Sequence, residues 1–217
     1  MLDELGPALK DVEQALELDA NLLWVWAIKG WLFELLDHDA RQCEQAYRRA
    51  LEGNPDDLGA LIGAAESLLR QDRRPDAEEL FRRGLAVGRA RAESDASAAA
   101  GLGWCLLRLG QCKEAAEALD DAVSRDESRI DAEFDLGLAL LCCGRADVAV
   151  EEYREAATRT RALRHVGRRA NLVRVAQRDL RLAVAGKLVP DAPVLAEIDE
   201  ILASIPTGRP PEGPGRS

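Results

Sequence analysis

Aromatic residues are scarce in this sequence, making up 4% of its 217 residues. With alanine and leucine abundant, that scarcity disfavours sheet and favours helix. No run of about 18 apolar residues occurs, which argues against a transmembrane helix. The start, MLDELGPALK, lacks a basic stretch leading into an apolar core, so no signal peptide is expected. Signatures of catalysis are missing as well. There is no glycine-rich phosphate loop, no GxSxG and no HExxH. No CxxC pair is present to suggest zinc. The chain is therefore read as not an enzyme, with no cofactor and no metal.

The five cysteines, Cys43, Cys105, Cys112, Cys142 and Cys143, sit within apolar helical patterns. Free, mostly buried thiols in a reducing cytoplasm fit them best. Of the two histidines, His38 lies between Asp37 and Asp39 in a turn, which reads as solvated rather than metal-binding. Glu78, Glu79, Glu151 and Glu152 fall in early helical turns, where acids favour the positive helix end; they are not read as catalytic pairs.

What the chain does contain is 47% hydrophobic and 31% charged residues, a balance suited to a folded protein. Its net charge is −10. The charge is uneven, because Arg154 to Lys187 carries a local +8 and leaves −18 elsewhere. Nucleic acid is not expected as a partner, since the basic segment lacks aromatic residues for base stacking.

Internal repetition organises the chain. Gly103, Leu106, Gly110, Ala115, Leu119 and Ala122 recur 34 residues later as Gly137, Leu140, Gly144, Ala149, Tyr153 and Ala156. Cys43, Tyr47 and Ala50 recur at the same spacing as Ala77, Phe81 and Gly84. Gly30, Ala65, Gly103 and Gly137 form one small-residue column, at the middle of each first helix. Two departures stand out: one extra residue in the turn LLDHDARQ, and four extra in the linker AVGRARAESDAS. Each unit shows an apolar stripe, a turn and a second stripe, so its faces are buried only by stacking. Pro75 suits a helix start, and Gly110 and Gly144 suit left-handed helix ends.

These columns resemble the tetratricopeptide repeat family. The residues that carry the resemblance are Trp26, Gly30, Phe33, Tyr47, Ala50 and Pro55 in the first unit. In the second they are Leu61, Ala65, Leu68, Ala77 and Phe81, and the third and fourth contribute the 34-residue pairs above. The resemblance implies an all-α fold, a right-handed superhelical α-solenoid of antiparallel helix pairs. Residues 1–21 then read as a half repeat (a second helix without its first), 22–157 as four repeats, 158–205 as capping helices and 206–217 as a disordered tail. The half repeat leaves two readings open, a segment of a longer chain or a lone cap.

By the same resemblance, first helices line a concave groove. Its columns read Ala27, Ile62, Ala100, Phe134; then Trp31, Glu66, Trp104, Leu138; then Glu34, Leu69, Leu107, Leu141. The Lys and Asn residues with which the family's chaperone-tail binders clamp a terminal carboxylate are missing at these places. An apolar groove with two tryptophans points to a scaffold or adaptor for an apolar or amphipathic peptide. A structural or assembly segment, a homo-oligomer and a non-catalytic regulatory subunit are the alternatives. Trp24 and Trp26 are expected to pack against the N-terminal helix. In the basic segment, Leu163, Val166, Ala170, Val173 and Leu180 are expected to face the fourth repeat. Arg164, Arg168, Arg174, Arg178 and Arg181 are expected on solvent, where they could also meet an acidic partner. A short closing helix is expected from about Asp191 to Ser204, started by Pro190 and Pro193.

Overall fold

The structure is a computed structural model that describes residues 2–186, 188–189 and 193–208. Pro190, the beginning of the expected closing helix and tail residues 209–217 lie outside the described residues. Those described form eleven helices and no strand. They are α1 (Leu2–Leu18), α2 (Leu23–Leu35), α3 (Ala40–Gly53), α4 (Leu58–Leu69), α5 (Arg74–Arg91), α6 (Ala96–Arg108), α7 (Cys112–Arg125), α8 (Ile130–Cys142), α9 (Ala146–Ala162), α10 (Val166–Ala185) and α11 (Val194–Ala203). The chain divides into two compact units, Met1–Glu127 and Ser128–Ser217.

In the first unit, α1 packs on α2, and the pairs α2–α3, α4–α5 and α6–α7 follow. Each second helix also packs on the next first helix, α3 on α4 and α5 on α6. The small-residue column makes this close packing feasible. A Cβ added at Gly30 would stand 2.8 Å from the Tyr47 ring, and one at Gly103 would stand 2.5 Å from Leu119. Both contacts are too short for any side chain, so these sites admit the ring or the leucine only because glycine is there. Tyr47 is 4% exposed and donates its hydroxyl to Glu34 at 2.9 Å, which satisfies the one polar atom its ring takes inside.

First helices end alike. Asp37, Asp72, Gly110 and Gly144 all have positive φ, between 58° and 78°. At the second of these, the Asp72 N–H donates to Leu69 O at 3.1 Å and the Arg73 N–H to Leu68 O at 3.0 Å. The same pair of bonds closes α2, α6 and α8. This is the Schellman arrangement, which satisfies carbonyls that the helix end would otherwise orphan. The starts of α3, α4 and α6 are capped by Asp39, Asp57 and Asp95, whose carboxylates accept from the N–H of Arg41, Ala60 and Ser97 at 2.8 to 2.9 Å.

The four extra residues before the third repeat are not a loop. α5 has 18 residues where α3 and α7 have 14 each, so the insertion adds one helical turn. Pro75 stands in the first turn of α5, where its missing N–H costs nothing.

In the second unit, α8 and α9 pair, α11 packs on α9, and α10 packs on α8, α9 and α11. A Cβ at Gly137 would stand 2.8 Å from the Tyr153 ring, repeating the small-residue contact. The stripe expected from Leu163 starts later: Leu163 is the extended residue that ends α9, and α10 begins at Val166. Val173 and Leu180 are buried as expected, while Val166 and Ala170 are half-buried.

Asp72 holds a left-handed conformation that costs an L-residue about 1 kcal/mol, whereas Gly110 holds it without strain. Asp72→Gly should therefore raise the unfolding free energy of the full chain and with it the urea midpoint, and Gly110→Ala should lower both, by about 1 kcal/mol of free energy each. Equal midpoints for all three proteins would show that these turns carry no strain.

Candidate protein-binding site

The middle groove column does not form a continuous open stripe. Trp31, on α2, is 51% exposed, whereas Trp104, in the third repeat on α6, is 8% exposed. The reason is a buried polar contact that spacing alone did not reveal. The Trp104 indole N–H donates to Glu66 Oε1 at 2.9 Å, and Arg108 Nε donates to the same oxygen at 2.6 Å. A second Arg108 nitrogen binds Glu66 Oε2, so the pair is bidentate. The guanidinium also lies 5.1 Å from the Trp104 ring centroid. Both charged side chains are about one tenth exposed. Removing either partner from such a pair would strand a buried charge, at a cost of about 3–5 kcal/mol.

The expected groove is corrected accordingly. Glu66, Ala100, Trp104 and Leu107 are buried in the first unit, and Phe134 and Leu138 are buried in the second. The Phe134 ring lies 5.8 Å from that of Tyr153. These six residues are interior packing, not a surface. Ala27, Ile62 and Leu69 are half-buried, leaving Trp31 as the largest accessible member of the set.

A neighbouring stripe, read differently from sequence, is the exposed one. Trp24 is 66% exposed and Ile28 38%. Trp24, Ile28 and Trp31 follow one another at helical intervals of four and three, so they share one side of α2. The expectation that Trp24 packs against the N-terminal helix is thus overturned. Trp26 turns the other way: it packs on the cluster of Phe33, Cys43, Ala46 and Tyr47, and its indole N–H donates to Ala20 O at 3.2 Å. Lys29 pairs with Glu13 of α1 at 3.2 Å, which fixes the side of α2 that faces α1.

The arginines of the second unit serve largely as ties. Arg168 donates to Ser128 O at 3.2 Å, Arg174 to Asn171 Oδ1 at 3.0 Å and Arg178 to Asp179 Oδ1 at 3.0 Å. Arg154 pairs with Glu197, Arg161 bonds Ser204, and Arg169 donates to Pro206 O at 3.1 Å, which fastens α9 and α10 to α11 and its end. Arg164, Arg168 and Arg181 are exposed, as expected. Arg174 and Arg178 are half-buried, because their partners lie along the packed side of α10.

Other polar groups also depart from expectation. His38 is half-buried with its ring stacked 4.4 Å from that of Phe33, rather than solvated. Cys43 and Cys105 are buried, and Cys112, Cys142 and Cys143 are half-buried. Burial, assisted by the charge of Glu66, pushes the Cys105 thiol up to about 12. Glu133, Glu152 and Glu155 place carboxylate oxygens within 4.8 Å of one another, a grouping hidden in sequence because α8 supplies one and α9 the others. Arg159 Nε stands 3.6 Å from Glu133 Oε1 and offsets part of that charge.

Antiparallel helix pairs with matching left-handed ends define a helical-repeat protein. A tetratricopeptide repeat model matches residues 38–95, 63–130 and 100–164, and the chain belongs to that family. Its fold class is accordingly the tetratricopeptide-type α-solenoid. A curated relative, the protein named CTR9 homolog of Arabidopsis thaliana, is 28% identical over 131 residues; the match takes in 60% of this chain and 12% of that protein. Two solved structures share the fold. TTC0263, a tetratricopeptide repeat protein of Thermus thermophilus, is 20% identical, covers 71% of this chain and 82% of its own, and gives a TM-score of 0.57. PilW, a type IV pilus biogenesis factor, is 18% identical, covers 95% and 88%, and gives 0.55.

One electrostatic cluster, in which Asp179 is buried and Asp135 half-buried, has a readable pH signature. Burial, then the charges of Asp179 and Asp131, push the Asp135 carboxyl well above the usual carboxylate range, against the pull of Arg129 and Arg178. A raised carboxylate binds its proton more tightly when folded. Its contribution is therefore fully present below the unfolded value, near 3.8, and is lost as pH rises through the folded one. Asp135→Asn should gain stability over the native chain at about pH 8 and show little advantage at about pH 4, by urea unfolding. An equal difference at both pH values would remove Asp135 as the titrating group.

Proposed function

We propose that this chain is a non-catalytic protein-interaction module that recognises an apolar or amphipathic peptide through the accessible side of α2. Proteins of the tetratricopeptide repeat family generally mediate protein–protein interactions. The observation that carries the local reading is the exposure of Trp24 and Trp31 on one helix, in a chain with only four tryptophans. Exposed tryptophan is costly to leave in water and is enriched at binding hot spots. Ile28, 38% exposed, lies between Trp24 and Trp31 on the same side of α2. The buried members of the expected groove take no part. Among the described residues no helix is long and apolar enough to cross a membrane, so a partner in the aqueous phase suits the surface.

A second reading, an assembly segment of a larger protein, is supported by α1, which packs on α2 as a second helix would. It is also supported by the small share of the curated relative that this chain spans, 12%.

Affinity capture with the native chain and with Trp24→Ala and Trp31→Ala variants tests the first reading. Partners held by the native chain should be lost from the variants while circular dichroism stays helical, since exposed positions bear little of the fold. Retention of every partner by the double variant would place recognition elsewhere.

A further inference from the structure

We propose that α10 is a pH-sensitive latch on α8 within the second unit: it lies closed at mildly acidic pH and loosens over its second half as the pH rises. This device belongs to the second unit alone and is independent of the α2 surface.

The inner side of α10 offers little apolar surface. The helix packs on α8, α9 and α11. Its buried residues are Val173, Ala176, Asp179, Leu180 and Ala183, which recur at helical intervals and share one side. Two of these five are alanines, whose burial removes little surface from water, and one is an acid that is 4% exposed. The start of the helix is held differently. Arg168 donates to Ser128 O at 3.2 Å, and Arg169 donates to Pro206 O at 3.1 Å and to Leu163 O. Backbone carbonyls do not titrate in this range, so these ties hold at every pH considered. They lie in the first turn of α10, and Asp179 lies about three turns further on.

Acids from two helices meet across the contact. Asp135 lies on α8 and is half-buried. Its place in the repeat, two before the small residue, is held by the uncharged Ile28, Gly63 and Gly101 in the earlier units. An acid at this place is thus confined to the unit on which α10 packs. Burial, then the charges of Asp179 on α10 and Asp131 on α8, push the Asp135 carboxyl well above the usual carboxylate range. Arg129, before α8, and Arg178 of α10 pull the other way. Arg178 is engaged with Asp179, its Nε 3.0 Å from Oδ1. From α9 the facing group is Tyr153, 1% exposed. Burial, then Asp135 and Asp179, with Cys142 and Asp199 of α11 adding to them, push its hydroxyl up as well. Tyr153 therefore stays neutral and brings no counter-charge.

With α10 closed, Asp135 binds its proton more tightly than it would with α10 and Asp179 withdrawn. Closure is therefore supported at low pH, and that support is lost as pH rises through the closed-state value. Two carboxylates then stand in one contact. His165 at the start of α10 acts with the opposite sign. Its Nδ1 accepts from Arg168 N at 3.2 Å, and protonating that nitrogen would loosen the helix at low pH.

Amide hydrogen exchange of the full chain, expressed as protection factors between about pH 5.5 and about pH 8.5, tests the latch. Protection from Asp179 to Ala185 should fall about ten-fold or more across this range, as a difference of about one unit between closed and open values requires. Over the same range α8 and α9 should keep their protection. Asp135→Asn should leave α10 protected at both ends of the range, and Asp179→Asn should shrink the fall. The native profile and Asp179→Asn decide the matter even if Asp135→Asn does not fold. Protection of α10 that stays flat or rises with pH would overturn the proposal. So would a fall that Asp135→Asn or Asp179→Asn leaves undiminished. A parallel fall in α8 and α9 would overturn it in favour of a general loss of stability in the unit.

Discussion

Tyr47 fills the space that Gly30 leaves beside it, and the distance between the helices of a pair is set by contacts of that kind. Leu119 does the same against Gly103, and Tyr153 against Gly137. A side chain at any of these glycines would push its neighbour outward and separate the helices. Close approach leaves each helix with further apolar sides to bury, and only the next pair can cover them. The rest of the first unit follows: second helices meet the next first helices, and first helices meet one another in series.

That serial packing explains why two tryptophans in one repeat position have opposite surroundings. Trp104 has a helix before it, and the covering is completed by Glu66 and Arg108, each meeting the other's charge inside the fold. Trp31 has no such helix among the described residues. Burial at this repeat position therefore depends on what packs over it rather than on the residue itself. The arginines of the second unit illustrate the opposite case, for much of what read as a free basic face is spent on holding α9, α10 and α11 together.

The repeat was legible in sequence because its determinants are local: small residues at fixed spacing, glycines at helix ends, and proline at the start of α5. The left-handed turns at Asp37 and Asp72 were less visible, since aspartate marks such a position far less sharply than glycine. The four-residue insertion was misread as a linker because a whole added turn keeps the apolar stripe in phase. Groove positions were misjudged for a different reason. Periodicity tells which side of a helix a residue occupies, but not whether another helix lies over it. The pairing of Glu66 with Trp104 and Arg108 spans about forty residues and has no local signature. Likewise, Arg178 read as one more solvent arginine until Asp179 proved to be buried beside it.

Accessibility of individual indoles bears most directly on this account. Full-length variants that keep Trp31 alone or Trp104 alone, with the other tryptophans changed to phenylalanine, would be compared by acrylamide quenching of their emission. The account predicts that Trp31 emits at long wavelength and is quenched several-fold more efficiently than Trp104, whose emission is blue and protected. Equal quenching of the two, or stronger quenching of Trp104, would contradict it.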